Sequence, residues 1–144
     1  MAEFQKSLVV NCTPEQAFAI VSDVARHPEW ATTKLEVEKT SEGEIAIGTT
    51  FRTTGYQFGK HEGEVRIVEL IPNEKVVYES NDDVAHNRHS FLLAPTDGGT
   101  MVTKSLQVLE SKSLFFKILT PMLGIIAPRG LDADLRNIRA QLEA

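Results

Sequence analysis

The sequence predicts an α+β domain: one curved, seven-stranded antiparallel sheet wrapped around a long C-terminal helix, with two short helices after strand 1. Three observations predict it. Period-two alternation dominates from residue 34 to residue 110, broken by turn residues into short strands joined mostly by hairpins. A strong helix start at Thr13-Pro14 sits between the first strand and that stretch. Finally, Leu131, Leu135, Ile138 and Leu142 fall at i, i+4, i+7 and i+11, a single apolar stripe. A sheet with one apolar face must cover it, and only the C-terminal helix is long enough to do so.

Taken in order, Glu3 to Asn11 reads as the first strand, with Phe4, Leu8 and Val10 at even spacing. Thr13 can cap the next helix, Pro14 suits its first position, and Gln16 completes a capping box. Ala17, Phe18, Ile20, Val21 and Val24 supply its apolar side, and His27-Pro28 ends or kinks it. A second short helical turn runs through Glu29 and Trp30. The remaining strands are Lys34–Thr40, Gly48–Phe58 with a bend at Gly55, His61–Ile71, Lys75–Asn81, Ala85–Ala94 and Thr100–Glu110. Pro95-Thr-Asp97-Gly98-Gly99 is the strongest hairpin signal among them. In the tail, Leu114, Phe115, Ile118 and Leu119 have helical spacing, and Pro121, Gly124, Pro128 and Gly130 interrupt it before the final stripe.

Composition bounds the function. The chain has 144 residues, is 42% apolar and 24% charged, and carries a net charge of −5. That is one domain, 1–144, with no broad basic face, so nucleic acid is not an expected partner. The lone cysteine, Cys12, excludes an internal disulfide and a multi-cysteine metal site. No His-x-x-x-His or Cys-x-x-Cys spacing occurs, so neither a metal nor another cofactor is expected. Met1-Ala-Glu-Phe-Gln-Lys lacks the apolar core of a signal peptide, and Leu114–Ala127 is too short to span a bilayer, so a cytoplasmic location is expected.

The chain resembles the START/birch-allergen (SRPBCC) superfamily, and within it the polyketide cyclase/dehydrase-like branch. The resemblance rests on Thr13-Pro-Glu-Gln-Ala-Phe-Ala-Ile-Val-Ser-Asp23, His27-Pro-Glu-Trp30, Ile47-Gly-Thr-Thr-Phe51, Val68-Glu-Leu-Ile-Pro72, Val76-Val-Tyr-Glu79, Phe91-Leu-Leu-Ala-Pro95 and Gly98-Gly-Thr100. It covers essentially the whole chain, and it implies a helix-grip fold with a cavity between sheet and helix. It does not fix the chemistry, because this superfamily includes carriers, receptors, cyclases, dehydratases and toxin-like proteins. The reading it favours is binding or carriage of a hydrophobic small molecule such as a lipid, isoprenoid or polyketide-like ring. The alternatives are a cofactor-independent cyclase or dehydratase, and a toxin-like partner-binding module.

Strand parity selects candidate cavity residues. His61 shares parity with Val65 and Ile67, and His89 with Phe91 and Leu93. Tyr56, His61, Tyr78, His89 and Phe91 are the expected ligand contacts from the strands, with Leu119, Met122 and Leu123 from the tail. His61, His89 and Tyr78 are the candidates for acid–base chemistry, set against a plain role as polar cavity or surface groups. Trp30 reads chiefly as an anchor for the short helices, and Arg52 and Arg66 as outward-facing. The apolar stretch 114–127 is read as a gate in transient contact with a membrane surface, or as core, or as a homodimer interface; the chain is expected to be a monomer or homodimer.

Overall fold

The computed structural model describes residues 3–56 and 59–144, with the backbone alone for residues 115, 116, 119 and 120. Its elements follow the predicted order. Strand β1 (Glu3–Val10) leads to helix α1 (Pro14–Val21) and a 3-10 helix (Val24–Glu29). The meander follows as β2 (Leu35–Lys39), β3 (Thr50–Gly55), β4 (His61–Ile71), β5 (Lys75–Asp82), β6 (Ala85–Thr96) and β7 (Gly99–Ser111). Helix α2 (Leu114–Leu142) closes the chain. The sheet order is β1-β7-β6-β5-β4-β3-β2, and every pairing is antiparallel. The expected end of β3 at Phe58 lies outside the described residues.

Local chemistry sets the first helices. The Thr13 side chain accepts from the Gln16 N–H at 3.2 Å, and the Gln16 side chain accepts from the Thr13 N–H at 2.9 Å, the reciprocal capping box read from the sequence. Asp23 caps the 3-10 helix by accepting from the Ala25 N–H at 3.1 Å. Pairing of Phe51 with Val65, Ile67 with Tyr78, Tyr78 with His89, and Phe91 with Lys104 places these residues on one concave face. A bulge between Ile67 and Glu69 swaps the inward parity of β4 from odd to even, so Leu70 keeps company with Val76.

Leu135 and Ile138 are buried against that face, joined by Trp30, Phe51, Val65, Ile67, Val76, Tyr78, Phe91 and Val102, and Leu131 is buried as well. Asn137 donates to the Trp30 carbonyl at 3.0 Å and Gln141 to the Glu29 carbonyl at 3.0 Å, which ties the 3-10 helix to α2.

One expectation is corrected. The sequence reading breaks the tail at Pro121, Gly124, Pro128 and Gly130, whereas α2 is a single helix with Pro121 and Pro128 inside it. Each proline removes one i→i−4 hydrogen bond. The carbonyls so freed belong to Lys117 and Gly124, both exposed residues, within reach of solvent as an alternative partner.

The β6–β7 hairpin turns at Asp97-Gly98 and docks on β1. Gly99 has φ +136°, and a Cβ there would stand 2.0 Å from the Val10 carbonyl oxygen. Gly99→Ala therefore forces the hairpin off the end of β1. It is expected to destabilise the fold by about 2–3 kcal/mol in urea unfolding, since strain and a backbone clash act together. A loss below about 0.5 kcal/mol would show that the backbone yields there without penalty.

Candidate functional site

The concave face carries polar groups that a pure core would not. On β5 and β6, Tyr78 and His89 sit opposite one another with rings stacked at 4.9 Å and 17°. His89 Nε2 lies 3.1 Å from the Ser80 hydroxyl. Two residues along β6 in one direction is Asn87, and two in the other is Phe91, against which Trp30 packs edge-on at 5.6 Å. His27 stacks on Trp30 in turn, at 3.9 Å and 15°.

A buried ion pair anchors this cluster. Lys104 Nζ is 2.9 Å from Asp134 Oδ2, with side chains only 4% and 13% exposed. The ammonium lies over the Trp30 ring at 4.8 Å and the Phe91 ring at 5.6 Å. Asp134 Oδ1 also accepts from the Thr32 N–H at 3.2 Å, so one carboxylate joins β7, α2 and the segment after the 3-10 helix.

Electrostatics keeps both histidines neutral. Desolvation, then the neighbouring Lys104 charge, pushes His89 down to about 3. Desolvation, then Lys104 and His89, holds His27 well below the usual histidine value. Burial raises the Tyr78 hydroxyl above its ordinary range, with the Asp134 charge adding to it.

Among the described residues, four polar atoms at this cluster are sealed from solvent and find no hydrogen-bond partner: Trp30 Nε1, Tyr78 Oη, Asn87 Oδ1 and His89 Nδ1. Leaving a polar group in that condition costs about 1–3 kcal/mol. Together they offer donors and acceptors beside the apolar side chains of this wall.

The predicted site residues divide accordingly. Tyr78, His89 and Phe91 come together at this cluster. His61 shares the inward parity of β4 but lies six residues from Ile67, roughly 20 Å along the strand. Its Nδ1 contacts Asp83 at 2.9 Å. Tyr56 lies at the β2–β3 edge, where its hydroxyl donates to Glu36 and its ring sits under Lys34 at 4.5 Å; the Glu36 hydrogen bond raises its pKa. Met122 is exposed and Leu123 half-buried on α2, while the Leu119 side chain lies outside the described residues. Arg52 and Arg66 face outward, as expected. Beside Arg66, a polar groove of about 260 Å³ on the outer face is lined by Glu64, Arg66, Val68, Glu79, Asn81 and His86.

Sequence reasoning passed over Lys104, Asp134, Ser80 and Asn87. Lys104 had a signal: it alternates in phase with Thr100, Val102 and Leu106, so a charge stood on an inward-facing row. Asp134 adjoins the apolar stripe, where periodicity gives it no inward role, yet it pairs with the buried Lys104 ammonium.

The family described as "Polyketide cyclase / dehydrase and lipid transport" matches residues 1–143. The chain belongs to this family. Solved structures share the sheet-around-helix architecture described above. A START superfamily protein from Mycobacterium smegmatis superposes with a TM-score of 0.80 at 17% identity, covering 98% of this chain and 97% of that one. A protein from Thermus thermophilus gives 0.79 at 14% identity, covering 99% and 97%. The di-domain ARO/CYC protein of the steffimycin biosynthetic pathway gives 0.70 at 16% identity, covering 98% of this chain and 50% of that one. At these identities the likeness is one of fold. No curated protein matches the sequence.

Proposed function

We propose that the protein binds a hydrophobic small molecule bearing a few oxygen atoms, such as a lipid, isoprenoid or polyketide-like ring, between the concave face and α2. The observation that carries this reading is the group of polar atoms at Trp30, Tyr78, Asn87 and His89, sealed and, among the described residues, unpartnered. Such groups in an apolar wall fix the orientation of a largely apolar ligand. The family membership supports the same class of ligand. Access would come by movement of the first half of α2, the segment read from sequence as a gate.

Binding is favoured over acid–base catalysis by electrostatics. An efficient general base has a pKa near the operating pH. His89, pushed down to about 3, is too weak a base at neutral pH, and Tyr78, pushed up, is a poor acid. His61, the other catalytic candidate, is remote from both.

Native mass spectrometry of the protein after incubation with a cell lipid extract tests the proposal. Retention of an apolar molecule is expected, and a protein that never retains one defeats it. Tyr78→Phe sharpens the result. Without ligand, removal of the unpartnered hydroxyl is expected to leave stability unchanged or raise it by about 1 kcal/mol. With ligand, the variant is expected to bind about tenfold more weakly, because the hydroxyl's hydrogen bond is gone. A variant that is less stable without ligand and binds equally well would show Tyr78 to be ordinary core. Consumption of the bound molecule, abolished by His89→Gln, would instead establish an enzyme.

A further inference from the structure

We infer that the first half of α2 is a docking surface for an anionic lipid bilayer. This goes beyond ligand binding at the concave face and rests on the helix alone. Leu114, Ile118, Met122 and Ile125 follow one another at spacings of four, four and three residues, and so form one stripe along the helix. All four are exposed: Leu114 is 74%, Ile118 67%, Met122 54% and Ile125 61% accessible. Leu123 and Ala127 are half-buried on roughly the opposite side and continue into the buried face of Leu131 and Leu135. The outward stripe is therefore surplus to the core.

Charge selects the occupant. Between Glu110 and Asp132 the sequence holds three basic residues, Lys112, Lys117 and Arg129, and no acidic one, in a chain whose net charge is −5. At 3.6 residues per turn, Lys117 lies roughly 60° to one side of Leu114, and Arg129 prolongs the stripe one turn beyond Ile125. Both are exposed. An apolar stripe with basic residues at its margin and its end suits the boundary between headgroups and acyl chains of a negatively charged leaflet. A second copy of this chain would offer the same apolar cover only by bringing the basic residues of two such stripes together. Among the described residues no helix is long and apolar enough to cross a membrane, so the helix would lie in the plane of the interface.

Sedimentation of the full chain with vesicles tests the inference. Binding is expected to phosphatidylcholine vesicles containing phosphatidylserine, much less to phosphatidylcholine alone, and to weaken as salt rises. Lys117→Glu with Arg129→Glu is expected to lower binding to the anionic vesicles by about tenfold or more. Ile118→Ser with Met122→Ser is expected to abolish it, with circular dichroism unchanged, since both side chains are exposed. Equal binding by the charge-reversed variant, or no binding by the parent, overturns the inference. So does concentration-dependent dimerisation in sedimentation velocity that Ile118→Ser abolishes, which would make the stripe an interface between copies. Ligand retention, measured without vesicles, reports separately on the concave site.

Discussion

Lys104→Met is expected to destabilise the protein by about 3–5 kcal/mol, measured as a fall in the urea midpoint, because it strands the Asp134 carboxylate in the interior. That is a large share of the roughly 5–15 kcal/mol by which domains are held folded. The loss has two parts. The carboxylate would lose its 2.9 Å partner while remaining 13% exposed. The Trp30 and Phe91 rings would lose the cation above them. Pairing Lys104→Met with Asp134→Leu is expected to recover much of the loss, since apolar replacements of a buried ion pair are often tolerated. Recovery will be incomplete, because the Thr32 N–H also loses its acceptor. A single Lys104→Met costing under about 1 kcal/mol would show that water reaches Asp134 and that the cluster is open in solution.

Acidification from about pH 6.5 to about pH 4.5 is expected to remove about 1–2 kcal/mol for each of His27 and His89. Both folded-state pKa values lie below the unfolded value of 6.5, and His89 stands at about 3. As pH falls through 6.5 the unfolded chain takes up protons that the folded chain refuses, so stability falls with pH. The full linkage slope is about 1.4 kcal/mol per pH unit per group. The smaller figure applies because both residues as a whole are only half-buried, so solvent screens part of the effect. Glu79, lowered by Arg88 and His86, and Glu29, lowered by Arg26, give up their own contributions only as pH drops below about 4.5. His89→Gln is expected to flatten the pH 4.5–6.5 part of the profile by about half. A parent profile already flat over that range would mean that the histidines titrate normally.

Architecture was legible in the sequence because local rules agreed with the global fold. The capping box at Thr13–Gln16, the alternation of β4 to β7, the turn at Asp97-Gly98 and the stripe of Leu131, Leu135 and Ile138 each express a local geometry. Parity along single strands also put His89 and Phe91 on the inner face. What parity could not supply was level. His61 and His89 face the same way, but only the strand register shows that His89 lies beside Tyr78 while His61 lies far along β4. Tyr56 lies apart from that cluster for a similar reason: beyond the last paired residue, Gly55, alternation no longer fixes where a side chain points, and Glu36 and Lys34 hold it at the sheet edge. Nor could periodicity foresee that a lysine on an inward row and an aspartate beside an apolar stripe would meet. Their meeting depends on α2 crossing β7 at one height, which is set by packing between segments 30 residues apart. The continuity of α2 was likewise a tertiary decision. Proline weakens a helix in isolation by about 3 kcal/mol, but here the residues whose carbonyls are freed, Lys117 and Gly124, are exposed, and Leu135 and Ile138 hold the helix's second half on the sheet. Thus the sequence alone determined which faces are apolar and where the chain turns, because those depend on neighbours a few residues away. The tertiary structure alone decided which polar groups are sealed together and which apolar stripe is left outside, because those depend on the height and angle at which distant elements meet.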